Sequence, residues 1–243
     1  MGEAKRRKQT GAPSPRNNGN RKPAIIGVSV VVAIAVIVGV YAMTRPPAPS
    51  SDSLPVAAPN ASDFPASLDQ YGISVGPSDA PVVVREFADY QCPACASFAP
   101  ASKRLKDEYV NTGKVRFVYF DLPLRQHQNA VPAAQAARCA GDQGQYWQMH
   151  DKLYDAQSAW SGSNDPVVTF TRYANDLGLE ERRFRRCLTT ELHKEAVEDS
   201  LEVAVQMRVT STPTVMVDNI QLTRAGWGQL SAVVERELNK SNN

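Results

Sequence analysis

Apolar and polar positions fall into three regimes along the last 177 or so residues of the chain. Val82 to Ala88 is an apolar, β-branched run with little alternation, the pattern of a strand covered on both faces. From Cys92 to Tyr109 the apolar positions recur at helical spacing, and Pro100 falls inside that stretch, where a missing N–H predicts a kink. Lys114 to Asp121 alternates and is rich in Val, Phe and Tyr, so it predicts a second strand. A strand, a helix and a strand in that order form a parallel unit whose crossover is expected to be right-handed. A long helical stretch follows, from about Asn129 to Met207, punctuated by Gly141, Gly144, Gly162 and Gly178. The chain closes with a strand over Thr214 to Asp218, a turn at Asp218 and Asn219, a strand from Ile220 and a helix from about Gly228 to Leu238. The expected class is α/β, with a helical block inserted between the two halves of a sheet.

Upstream the pattern changes. Ala24 to Met43 is a run of 20 residues with no charged side chain, long enough to cross the hydrocarbon core of a bilayer. Seven basic residues against one acid precede it, and only Arg45 lies close behind it. The positive-inside rule then predicts a single-pass cell-membrane anchor over residues 24–43, a basic cytoplasmic tail over 1–23 and everything after it outside the cytoplasm. A cleaved signal peptide is the competing reading, with an apolar stretch that is usually shorter and a small-residue cleavage site. Residues 44–66 mix Pro, Ala and Ser without periodicity, which predicts a semi-extended tether leading to one domain over 67–243.

Charge becomes informative once the chain is divided this way. The whole chain is +2, but residues 1–23 hold +6, leaving 20 basic and 24 acidic residues, or −4, for the rest. That balance points away from a nucleic-acid partner for the domain, and the basic tail is accounted for by topology and anionic lipid. No nucleophile elbow, phosphate loop or His-Glu-x-x-His helix occurs, and no cofactor is expected.

The candidate chemistry lies at Cys92-Pro-Ala-Cys95, where the first strand empties into the first helix. Cys92 falls at the helix N-terminus, whose unpaired N–H groups and dipole favour a thiolate. Pro93 suits the first turn, and Cys95 lies on the same helical face within disulfide reach. Glu86, six residues earlier in the first strand, is either a buried acid with a raised pKa or a surface glutamate. Thr212-Pro213 opens the late strand and is either a cis-proline loop or an ordinary trans one.

Three segments together, Glu86 to Cys95, Ala137 to Asp151 and Val209 to Val217, resemble the DsbA-like thiol-disulfide oxidoreductases of the thioredoxin superfamily over about residues 75–240. The resemblance implies a thioredoxin fold with a helical insertion over about 126–207. It implies Cys92 as the exposed nucleophile, Cys95 as the more buried resolving thiol, Glu86 as a proton shuttle, and Thr212 and cis Pro213 facing the cysteines and pairing with substrate backbone. Ala94 stands where strongly oxidising members often have a histidine, so Cys92 is expected to be less acidic than theirs and the direction of electron flow is open.

Cys139 and Cys187 lie 48 positions apart in separate predicted helices, and the resemblance implies a structural disulfide between them; free thiols and a redox relay are the alternatives. A metal site is not expected there, because neither has a Cys or His at ligand spacing in the sequence. His150 reads as a packing residue, His127 as a residue near the cysteine-bearing edge, and His193 as solvated.

The function expected is an extracytoplasmic, monomeric oxidoreductase donating its disulfide to exported proteins, reoxidised by a quinone-coupled membrane protein of the DsbB or VKOR type. A reductase or isomerase served by a membrane reductant is the first alternative. A Cu(I)-handling module or a redox-inactive polypeptide-binding domain is the second, with Met207 and Met216 near the Pro213 loop as the only soft ligands in view.

Overall fold

The computed structural model describes residues 54–57 and 63–241. The anchor expected over 24–43 and the tail expected over 1–23 lie outside the described residues. Among those described, no helix is long and apolar enough to cross a membrane.

Five strands form one sheet in the order β1-β3-β2-β4-β5: β1 Ile73–Val75, β2 Val82–Ala88, β3 Val115–Asp121, β4 Thr214–Val217 and β5 Ile220–Gln221. β2 and β3 run parallel, with Val84 beside Phe117 and Glu86 beside Tyr119, while β1, β4 and β5 join antiparallel. Helix α1, Pro93–Leu105, links the parallel pair and runs through Pro100 into a π-helical turn over Lys106–Val110. Six helices then form the insertion: α2 Ala130–Gly141, α3 Tyr146–Asp155, α4 Gln157–Trp160, α5 Pro166–Asp176, α6 Glu181–Thr189 and α7 Lys194–Gln206. Helix α8, Trp227–Ser241, closes the domain. This is the sheet-and-insertion arrangement that the family resemblance implies.

Strand alternation sorts the core into two layers. Val82, Val84, Phe117, Tyr119, Val215 and Val217 pack on the side of α1, α8 and most of the insertion. Phe87, Val118 and Phe120 point the other way, onto Phe64 and onto Val203 and Ala204 of α7. Phe87 and Phe120 are neighbours in the β2–β3 register and stack with ring centroids 4.6 Å apart, a geometry adding roughly 0.5–1.5 kcal/mol to their burial.

Two elements were not read from the sequence. A 3-10 helix over Ala66–Tyr71 presents Asp69 to Arg85 of β2 in a buried two-pronged ion pair, Nε–Oδ1 2.7 Å and Nη2–Oδ2 2.9 Å, with the guanidinium 4.1 Å from the Phe64 ring. It leads into β1, which is three residues long and so gives no periodicity to detect. The segment expected as tether is in part held by the domain: Phe64 is buried, its N–H donates to Asn219 Oδ1, Leu54 packs against the main core, and Arg236 donates to the Pro55 carbonyl.

Candidate active site

Cys92 is the N-cap of α1, with extended φ −73° and ψ 122°, and its carbonyl accepts the first helical bond from Ala96. Asp89 builds the turn that brings it there. Its carbonyl accepts from the Cys92 N–H, Oδ1 accepts from the Gln91 N–H at 2.7 Å, and Oδ2 accepts from the Leu124 N–H at 2.8 Å and meets His127 Nδ1 at 2.7 Å. The carboxylate thus ties the cysteine turn to the segment after β3. His127 lies near the cysteine-bearing edge, as its sequence position suggests.

The insertion clamps the same turn from a second side. Gln157 Nε2 donates to the carbonyls of Tyr90, 2.7 Å, and Cys92, 2.9 Å. Gln91 donates to Ser161 O and accepts from the Asn129 N–H, and the Asn129 amide donates to Ser163 O at 2.8 Å. None of these contacts has a local signal in the sequence; only the Asp89 turn, a carboxylate two residues before the N–H it accepts, could have been read from spacing.

Both cysteines of the pair are free thiols. Cys95 is fully buried and Cys92 keeps 8 % exposure, so the expectation of an exposed Cys92 is corrected: its sulfur sits under the Thr212-Pro213 loop, 3.7 Å from the Thr212 carbonyl to which it donates. The Thr212-Pro213 bond is cis. Burial pushes the Cys95 thiol far up, and the Cys92 and Glu86 charges add to this; the Asp89 backbone and the nearby Thr212 hydroxyl pull the other way. Thr212 Oγ1 itself is buried without a hydrogen-bond partner in this arrangement.

Glu86 shares the α1 face of β2 with Val84, which places it beneath the cysteine helix. Of the two readings of its sequence position it is the buried acid, at 1 % exposure, and it accepts a short hydrogen bond from Ser102 of α1. Burial raises its pKa from 4.5 to about 7, against the Ser102 bond and the positive charge of Lys106. Lys106 in turn pairs with Asp151 at 2.7 Å. His150 lies beside Asp151 in a cage of Tyr90, Tyr119, Tyr146, Trp147 and Tyr154; burial lowers its pKa to about 4, so it packs as the neutral ring.

Cys139 and Cys187 are joined by a disulfide with Cα atoms 5.9 Å apart, linking α2 to α6. His193, read as solvated, instead directs Nε2 to Asp142 Oδ2 at 2.8 Å, close to that disulfide.

The sequence profile of the family described as thioredoxin matches residues 69–236. The chain belongs to the thioredoxin family. Disulfide bond formation proteins are among the relatives it resembles. A probable disulfide bond formation protein D from Bacillus anthracis is 29 % identical over 174 residues, covering 69 % of this chain and 78 % of the relative. A Na(+)/H(+) antiporter NhaA 1 from Salinispora arenicola is 37 % identical over 144 residues, 59 % of this chain but 21 % of the relative, so the chain spans about a fifth of that protein. The oxidised BdbD crystal structure from Bacillus subtilis shares the fold, with a TM-score of 0.64 and 22 % identity, over 77 % of this chain and 100 % of that one.

Proposed function

We propose that this thioredoxin-family chain is a membrane-anchored, extracytoplasmic oxidoreductase that donates a Cys92–Cys95 disulfide to exported proteins. The observation that carries the exchange chemistry is the unequal setting of the two sulfurs. Cys92 caps a helix and is the less enclosed of the two, whereas Cys95 is fully buried and held as the thiol. A substrate thiolate attacking the disulfide meets Cys92 and expels Cys95, which then needs a proton. Glu86, with a pKa near neutrality and close enough for its charge to raise the Cys95 thiol, is the group to supply it. The Thr212 carbonyl, next to Cys92, is placed to accept a backbone N–H from a polypeptide in mixed disulfide.

The extracytoplasmic location rests on the uncharged 24–43 run and the basic residues before it, and the Cys139–Cys187 disulfide agrees with an oxidising compartment. Reoxidation would fall to a quinone-coupled membrane protein of the DsbB or VKOR type. The direction is tested by equilibrating the Cys92–Cys95 pair of the full chain with glutathione buffers, Cys139 and Cys187 being replaced. A potential near −120 mV supports donation of disulfides; one near −270 mV overturns it in favour of a reductase.

A further inference from the structure

Away from the Cys92 edge, four side chains with metal-binding atoms converge on one spot of the insertion. Cys139 lies near the end of α2 and Asp142 is the C-cap of that helix; Cys187 comes from α6, and His193 is the residue before α7. One ligand atom each from Cys139, Cys187 and His193 lies within 4.8 Å of the others. Asp142 Oδ2 is 2.8 Å from His193 Nε2 and 3.7 Å from Cys187 Sγ.

A tetrahedral zinc ion has bonds of roughly 2.3 Å to sulfur and about 2.0–2.1 Å to nitrogen or oxygen, which puts its ligand atoms about 3.3–3.8 Å from one another. Asp142 Oδ2 already stands near that spacing from His193 Nε2 and from Cys187 Sγ, and a ring nitrogen of His193 lies within 4.8 Å of both sulfurs, which the disulfide holds together. Reduction frees the sulfurs to move apart and supplies two thiolates to an imidazole and a carboxylate, a donor set that suits zinc.

We infer that the reduced Cys139–Cys187 pair, with His193 and Asp142, is a zinc site, and that the disulfide is its closed, metal-free form. Solvent reaches the spot through a cavity of about 690 Å³ lined in part by Asp142, Cys187 and Arg186. Two thiolates and Asp142 carry three negative charges against the two of the ion, and Arg183, whose guanidinium donates to the Asp142 carbonyl at 2.8 Å, lies beside the remaining one. Spacing along the sequence argued against a metal here; the fold overrides it by bringing His193 to cysteines 54 and 6 positions earlier.

The chemistry balances with a dithiol as reductant. Two electrons and two protons pass to Cys139 and Cys187, their S–S bond breaks, and the donor dithiol closes into a disulfide. Zinc then displaces both thiol protons to solvent. In reverse, the two thiolates give two electrons to an incoming disulfide, bond to each other and release the ion.

The test uses the full chain carrying Cys92→Ser and Cys95→Ser, so that the other pair neither binds metal nor exchanges, and its outcome is independent of the function proposed for that pair. The protein is reduced, freed of reductant and titrated anaerobically with cobalt and then zinc. One equivalent of cobalt is expected, with the visible bands of a tetrahedral ion and sulfur-to-cobalt charge transfer, displaced by zinc; the oxidised protein binds none. His193→Ala and Asp142→Ala are each expected to weaken binding by at least about tenfold. Absence of cobalt and zinc binding in the reduced chain overturns the proposal, as does affinity unchanged in both variants. Circular dichroism covers loss of structure on reduction: a reduced chain that unfolds and that zinc does not refold overturns it equally.

Discussion

Two cysteine pairs in this chain have different fates because the backbone presents them differently. Cys92 and Cys95 are three residues apart at the start of α1, the first nearly buried beside the Thr212 carbonyl and the second fully buried near Glu86. Cys139 and Cys187 are 48 residues apart on separate helices, and their disulfide closes a loop through most of the insertion. In the first pair, asymmetry of environment makes one sulfur the point of attack and the other the leaving group. In the second, the long loop turns the same bond into a constraint on the unfolded chain.

The sharpest way to break this contrast is to exchange the pairs' losses. Cys92→Ser should reduce catalysed oxidative refolding of a reduced test protein to the uncatalysed background, whereas Cys187→Ser should stay within about twofold of the parent chain, since it leaves the α1 pair intact. Equal activity in the two variants would end the distinction. Removing the second pair by Cys139→Ala with Cys187→Ala should instead cost about 4 kcal/mol of stability for a loop of this length, read as a lower urea midpoint. An unchanged midpoint would show that the insertion holds α2 and α6 together without it.

Glu86 sharpens the comparison on the other side, because it stores unfavourable charge beneath the first pair. Its folded pKa lies above the unfolded value, so its contribution is fully present below about pH 4.5 and is lost as pH rises through about 7. Glu86→Gln keeps an acceptor for Ser102 and should therefore stabilise the chain by about 3 kcal/mol at pH 8, with little difference at pH 4. A pH-independent difference in denaturant titrations would contradict the assignment. The smallest effect is expected for Gln157→Ala, which unties two carbonyls of the cysteine turn and should cost about 1–2 kcal/mol with the Cys139–Cys187 bond unaffected. Hydrogen exchange at the amides of residues 90–96 would show whether the loosening is local.

What could be read from the sequence follows from how local each signal is. β2, β3 and the α1 start declare themselves in runs of seven residues and in the Cys-Pro-x-Cys spacing, and the Thr212-Pro213 loop was placed by its resemblance to family members. Arg85 with Asp69, Gln157 with Cys92 and His193 with Asp142 were not legible, because each pairs side chains or carbonyls 16, 65 and 51 positions apart with no pattern at either end. The burial of Cys92 escaped for the same reason: it is imposed by a carbonyl 120 residues away. β1 was lost to brevity, and its exit depends on Gly76, at φ 99°, where a Cβ would stand 2.5 Å from the Val115 carbonyl oxygen.

The bonds from Gln157 and Asn129 to the cysteine turn also bear on how such a protein can change over generations. An insertion that only decorated the sheet could be exchanged like a cassette, its sequence drifting independently of the catalytic edge. Here its third helix, α4, holds the backbone carbonyl of the very cysteine that caps α1. Graft, deletion or rapid divergence in that helix would be felt first as misalignment of the attacking sulfur, so insertion and cysteine turn are bound to evolve as one part.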